Sequence, residues 1–317
     1  MNKPFKALIA DLMHPTLPTM LAQIGVETDY QPQISRADIL AQIGAYEAIV
    51  IRSKTALDAA FFDKATSLKL IARAGSGLDL IDVEAARQRN ITILTAPEGN
   101  RDAVAEHAVG MLLMLLNHLK QADAQVRQGI WDREGNRGNE IKGKTVGIIG
   151  YGNVGREMAR RLSGFDCQVL CYDHKPSPYA DAYATEATMA EIYEQTDILT
   201  LHIPLTSETW QMVDAAFLKR FRKPIYLINT ARGEIVVLRD LLTLLQEAKV
   251  LGACLDVLQN EKLHKLTADE QAIHQALAAL PQVLFSPHVA GWTHESYLRI
   301  NQVLCQKIQQ WLTNQTT

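Results

Sequence analysis

The chain has 317 residues, a length at which one hydrophobic core gives way to two, so two domains are expected. Apolar residues make up 47% and charged residues 21%, which excludes a disordered or fibrous chain and leaves ample material for a core. A formal charge of −3 excludes general attraction to nucleic acid or to an anionic membrane.

The opening run Phe5 to Met13 is broken by Lys6 and Asp11 and is followed by no small-residue cleavage site, so no secretion signal is expected. Within it, Ala7 to Ala10 reads as a strand, and a helix follows near Thr16 to Ile24. Ala48 to Ile51, Leu70 to Arg73 and Ile91 to Leu94 read as further strands. Short buried runs separated by helical patterns predict a parallel sheet flanked by helices. A long helix is then expected from about Ala103 to Val126, apolar on nearly all sides in its front half and therefore buried. Its most apolar part, Ala108 to Leu116, is too short to span a bilayer. The polar stretch from Gly129 to Gly143 reads as a loop.

A second alternating series begins at Thr145. Strands are expected at Thr145 to Ile149, Gln168 to Tyr172, Ile198 to Leu201, Ile225 to Ile228, Gly252 to Leu255 and Val283 to Phe285. The closing segment, Glu295 to Leu312, carries apolar residues at 300, 303, 304, 308, 311 and 312, a helical spacing. Two α/β blocks result, with no low-complexity segment. The cysteines at 167, 171, 254 and 305 form no C-x-x-C pair and read as reduced thiols in a cytoplasmic protein; no metal site is expected.

Gly150-Tyr-Gly152-Asn-Val-Gly155 lies between the strand ending at Ile149 and a helix expected near Arg156. The first glycine makes a tight turn, the second lets backbone approach a pyrophosphate, and the third allows close helix–strand packing. The helix N-terminus then offers free N–H groups to the anion. Asp173 stands 18 residues beyond Gly155, where a carboxylate accepts hydrogen bonds from a ribose hydroxyl and repels a 2′-phosphate, so NAD is the expected cofactor. The bland alternative is a plain glycine turn.

Three segments follow strands of the second block: Asn229 to Gly233, Asp256 to Glu261 and Ser286 to Gly291. Ligands bind at that edge of an open α/β sheet. Arg232 suits a carboxylate by paired charged hydrogen bonds. His288 suits proton transfer at a C2 oxygen, and Glu261 suits orienting the imidazole. Taken singly, Arg232 reads as a surface residue before a turn, Glu261 as a solvated loop charge, and His288 as a cap on the last helix. Their joint occurrence after a dinucleotide fingerprint points to a 2-hydroxy acid dehydrogenase.

Over nearly its whole length the chain resembles the D-isomer-specific 2-hydroxyacid dehydrogenase family, including its phosphoglycerate dehydrogenase-like members. The matching motifs are Arg73-Ala-Gly-Ser-Gly-Leu-Asp79, Asn100 with Val104-Ala-Glu-His-Ala108, the run Gly143 to Gly155, His202-Ile-Pro-Leu-Thr-Ser-Glu-Thr209, Asn229 to Gly233, and Ser286 to Thr293. The resemblance implies Arg232, Glu261 and His288 as the catalytic set. It implies a substrate held by Arg52, Ser53 and backbone at Gly75, Ser76 and Gly77, together with Arg232 and His288. It implies NAD contacts at Gly150, Gly152, Asn153, Val154, Gly155, Asp173, Pro204, Thr209, Thr230, Ala231, Asp256 and Gly291, with Val104 near the nicotinamide.

The resemblance also implies two Rossmann-like α/β domains. The NAD-binding domain, residues 98–286, would be inserted into a flavodoxin-like substrate domain, residues 1–97 plus 287–317, with the active site in a cleft between them. It implies a homodimer in which Trp131 is either a cross-subunit anchor or a locally packed aromatic. One departure is Lys262 after Glu261, where the family often has proline; the spacing of five residues from Asp256 is kept. Arg52 and Lys54 either reach a substrate phosphate, as in 3-phosphoglycerate, or are two solvated cations. The chain ends soon after its last helix, so the regulatory domain of some phosphoglycerate dehydrogenases is not expected. Two other readings stay open: a catalytically weak, NAD-sensing corepressor-like binding protein, and an enzyme of this fold that oxidises formate or phosphite.

Overall fold

The computed structural model describes residues 4–316. The chain folds as two compact units, one running to Asn100 and resuming at Trp292, the other from Arg101 to Gly291. The first unit is built on β1 (Phe5–Ile9), β2 (Val26–Tyr30), β3 (Ala48–Ile51), β4 (Leu70–Arg73) and β5 (Thr92–Thr95). All pair in parallel in the order β2-β1-β3-β4-β5, a flavodoxin-like arrangement. The second unit holds β6 (Thr145–Ile149), β7 (Gln168–Tyr172), β8 (Thr185–Glu186), β9 (Ile198–Leu201), β10 (Ile225–Asn229), β11 (Val250–Leu255) and β12 (Val283–Phe285). Its parallel order is β12-β11-β10-β9-β6-β7-β8.

Central strands such as β3, β6 and β9 are buried along their whole length, because helices cover both faces of a parallel sheet. Two apolar clusters flank each sheet. In the first unit, Ile300, Leu304, Cys305 and Ile308 of the helix His294–Thr316 pack with Met13, Leu17 and Leu21, so the end of the chain completes the core begun by its start. Among the described residues, no helix is long and apolar enough to cross a membrane.

The structure departs from the sequence reading in several places. The helix expected from Ala103 to Val126 is two helices, Arg101–Leu116 and Leu119–Arg127. His118 takes a left-handed φ of 53° between them, and Asn139 donates to the freed Leu116 carbonyl. The first helix buries eight residues and the second none, so the chain turns where burial ends. β2 escapes the pattern because Val26-Glu-Thr-Asp-Tyr30 is a polar edge strand. The helix after the glycines begins at Asn153 rather than near Arg156.

The units meet the chain crossings later than positions 97 and 287. A Cβ on Gly99 would fall 2.6 Å from Ile300 Cα, a close approach inside the first unit. Val289 and Ala290 N–H groups are bonded to the Asp256 carboxylate, which keeps the segment from His288 to Ala290 in the second unit.

Candidate active site

Strand order in the second sheet reverses between β6 and β9, and the crevice at such a switch point is where α/β sheets bind ligands. The three glycines lie at that crevice, and each has a separate reason. Gly150 has φ 96°, and a Cβ there would sit 2.5 Å from the His202 carbonyl oxygen, which follows β9. Gly155 lies against the Gly150 carbonyl, where a Cβ would come to 2.1 Å. Gly152 has nothing within 4 Å of its would-be Cβ, so the space before the helix Asn153–Leu162 is open. That helix has no side-chain cap, leaving its first N–H groups, at Asn153 and Val154, for an anion.

Asp173 closes β7. Its carboxylate accepts from Tyr151 N–H at 2.7 Å and from Lys175 N–H at 3.1 Å, which fixes it at the crevice with lone pairs to spare. Thr230, after β10, has a buried hydroxyl with no hydrogen-bond partner among the described residues. An open cradle, a fixed carboxylate and an orphan hydroxyl on one sheet edge fit a dinucleotide. Two other expected contacts are engaged locally. Thr209 Oγ1 donates to the Pro204 carbonyl at 2.7 Å, and both hold their own loop. Val104 is buried on the helix Arg101–Leu116, and Gly291 closes the unit.

Arg232, Glu261 and His288 come together in the second unit. Asn229 shapes the first of their loops: its amide donates to the Arg232 carbonyl at 2.9 Å, and its oxygen accepts from Ala231 N–H at 3.0 Å. Gly233 lets this loop touch the next, since a Cβ would come to 2.0 Å from the Leu258 backbone. His288 Nδ1 lies 2.9 Å from Glu261 Oε1 and 3.1 Å from Oε2. A carboxylate only accepts, so Nδ1 carries the proton and Nε2 is left as the nitrogen that could exchange one. The Glu261 hydrogen bond raises the His288 pKa; burial and the nearby Arg232 charge oppose it, and Glu261 and Asp256 charges assist. In contrast, burial pushes His202 down to about 4, so that imidazole is neutral.

His288 has φ 55°, a left-handed backbone that costs about 1–2 kcal/mol in a non-glycine residue. Asp256 holds it there. Its carbonyl accepts from His288 N–H at 2.7 Å, and its carboxylate accepts from Val289 N–H, Ala290 N–H and the Ser286 hydroxyl. Asp256 is only 2% exposed, so these donors satisfy a charge that water does not reach. The carboxylate expected to face the cofactor is therefore turned into the His288 loop.

In the first unit the order reverses between β1 and β3, and Asp11, just past β1, organises the loop after β3. Its carboxylate accepts from the N–H groups of Arg52, Ser53 and Lys54 at 2.6, 2.9 and 3.1 Å and from Thr55 Oγ1 at 2.7 Å. Lys54 is exposed, and its ammonium donates to the carbonyls of Pro32 and Ile34. Arg52 is half-buried. Its guanidinium stacks 3.7 Å over the Trp292 ring and 5.5 Å from that of Tyr297, and burial lowers its pKa. At the next loop, Gly75 N–H is taken by the Arg73 carbonyl, leaving the N–H groups of Ser76 and Gly77 without a partner among the described residues. Asp11, His107 and Ser286 shape these sites, yet sequence reasoning assigned them no role. The only signal was position: Asp11 and Ser286 directly follow strands, and His107 lies in a matched motif.

Residues 109–290 match the model of the D-isomer specific 2-hydroxyacid dehydrogenase family, NAD binding domain. The chain is 32% identical over 309 residues to the D-3-phosphoglycerate dehydrogenase of Archaeoglobus fulgidus, covering 96% of this chain and 56% of the relative. It is 31% identical over 275 residues to the hydroxypyruvate reductase of Thermotoga maritima, covering 87% of this chain and 88% of that one. The structure of a glyoxylate reductase from Paecilomyes thermophila aligns with a TM-score of 0.84 at 25% identity, over 98% of this chain and 95% of the other. The chain thus spans little more than half the length of the phosphoglycerate dehydrogenases it matches.

Proposed function

The chain belongs to the D-isomer specific 2-hydroxyacid dehydrogenase family, and on that premise we propose that it transfers a hydride between NAD and a small D-2-hydroxy acid, reducing the 2-keto acid in reverse. The observation that carries this reading is the Glu261–His288 pair beside Arg232, on the sheet edge that also holds the glycine cradle. NAD, when bound, supplies or accepts the hydride. Gly150, Gly152 and Gly155 with the helix start at Asn153 would hold its pyrophosphate, Asp173 its ribose, and Thr230 a polar group of the nicotinamide half.

With Nδ1–H fixed on Glu261, protonated Nε2 of His288 donates to the C2 oxygen of a keto acid; neutral Nε2 accepts the hydroxyl proton in the other direction. Arg232 binds the substrate carboxylate and polarises the C2 oxygen. Ser76 and Gly77 N–H groups and Ser53 are the first unit's substrate donors. Arg52, whose guanidinium has no hydrogen-bond partner among the described residues, suits a substrate with a second anionic group such as 3-phosphoglycerate.

Two further assignments belong to this reading. Met114, Leu119, Val126, Ile130 and Trp131 leave large apolar side chains exposed along one stretch, with Trp131 at 79%, which supports a homodimer through this surface. Four free thiols support a cytoplasmic location.

The test is NADH oxidation at neutral pH against 3-phosphohydroxypyruvate, hydroxypyruvate, pyruvate and glyoxylate. Turnover of at least one is expected, and His288→Ala should lower it by about 100-fold or more. Tight NADH binding with no turnover of any would instead favour an NAD-sensing binding protein. If Arg52 serves a distal phosphate, Arg52→Ala raises KM for 3-phosphohydroxypyruvate and leaves that for glyoxylate unchanged.

A further inference from the structure

We propose that His107 and Ser286 are positioning residues for His288, acting through Asp256. The proposal rests on the reading above, in which His288 transfers the proton. His107 lies on the helix Arg101–Leu116, far in sequence from the loop it serves. Its Nε2 is 2.8 Å from Ser286 Oγ, and Ser286 Oγ is 2.5 Å from Asp256 Oδ1. Met111 Sδ, at 3.5 Å from Ser286, is a weak competing acceptor.

The directions of these bonds follow from chemistry. The Asp256 carboxylate only accepts, so the single Ser286 proton points to it. Ser286 Oγ is then the acceptor, and His107 Nε2 must carry a proton. The chain of donors runs from the helix to the carboxylate, and the carboxylate in turn holds the N–H groups of Val289 and Ala290 at 2.9 Å each. Successive N–H groups around one anion form a nest, and here the nest carries the left-handed His288.

Removing the Ser286 hydroxyl deletes the shortest bond to Oδ1 and leaves His107 Nε2 without its acceptor. The carboxylate is then free to tilt, the His288 turn relaxes, and the imidazole leaves Glu261. Glu261, Asp256 and Arg232 are the charged groups facing His288 within this unit, and His107 stands behind them, 3.7 Å from Asp256 Oδ1. A displacement of about 1 Å at a proton-transfer group lowers turnover on the order of 100-fold.

The test compares Ser286→Ala and His107→Phe with Ser286→Thr and His107→Gln, which keep a hydroxyl and an N–H donor. Two readouts are used on the full chain: kcat with NADH affinity, and the NMR titration midpoint of the His288 imidazole without substrate. The expected result is a kcat lower by about 100-fold with NADH affinity unchanged. The His288 midpoint should fall toward the ordinary histidine value, and both changes should be largely reversed in the Thr and Gln variants. An unmoved midpoint in both Ala and Phe variants would overturn the proposal. So would a loss of NADH affinity in step with kcat, which would make Asp256 a cofactor ligand. The NMR readout needs no turnover, so failure to find a substrate would strike the functional reading and not the positioning role.

Discussion

The His288 imidazole owes its raised pKa chiefly to one neighbour. Glu261 favours the charged form, so the folded pKa stands above the unfolded value of about 6.5. The pair's contribution to stability is therefore complete below the ordinary histidine value and is lost as pH rises through the raised folded one. Both side chains are 47% exposed, so solvent screens the pair and its share of stability is small; in the proposed reaction its weight lies in proton transfer. Keto-acid reduction needs the protonated form and should stay active to a pH above the usual histidine range, then decline. Hydroxy-acid oxidation should rise over the same interval. In Glu261→Gln the midpoint of a kcat/KM profile should move down, with kcat reduced about 100-fold. An unmoved midpoint would remove Glu261 from its orienting role. At the cofactor end, Asp173→Asn should weaken NADH binding by roughly 10-fold, the value of a charged hydrogen bond, and narrow its preference over NADPH. A fluorescence titration with both cofactors measures this.

At the scale of elements, the glycine cradle separates folding from binding. In Gly155→Ala the added methyl meets backbone 2.1 Å away, so the helix Asn153–Leu162 must lift from β6. A loss of about 1–3 kcal/mol is expected, seen as a lower melting temperature. Gly152→Ala meets no protein atom within 4 Å, so its melting temperature should hold while NADH affinity falls. Equal melting losses in both variants would contradict this division. The cradle was legible because strand, glycines, helix and acid are all local. Fully buried strands such as β3, β6 and β9 were legible for the same reason, as apolar runs. β2 was hidden by its polar edge residues, and the turn at His118 has no glycine or proline to announce it. Arg232, Glu261 and His288 stood out by residue type after strands. The roles of Asp11, Ser286 and His107 were not legible, since each depends on partners the fold brings together, such as His107 and Ser286, 179 positions apart.

For the whole molecule, each of the two sheets has its own switch point, at the edge where open α/β sheets bind ligands. The first unit depends on the final helix, where Leu304 is fully buried against the start of the chain. Leu304→Ala should cost about 2–5 kcal/mol, read by denaturant or thermal unfolding. If the exposed apolar stretch ending at Trp131 joins two copies, sedimentation should give twice the 35.3 kDa of the chain, and Trp131→Glu should lower it to one copy. The reaction itself is tested most directly by following the hydrogen. Deuterium on the transferring position of NADH, supplied with a keto acid that the protein turns over, should appear at C2 of a D-2-hydroxy acid, one atom per molecule. His288→Ala should slow its appearance by about 100-fold or more. Product without deuterium at C2, or an L-configured product, would contradict the account.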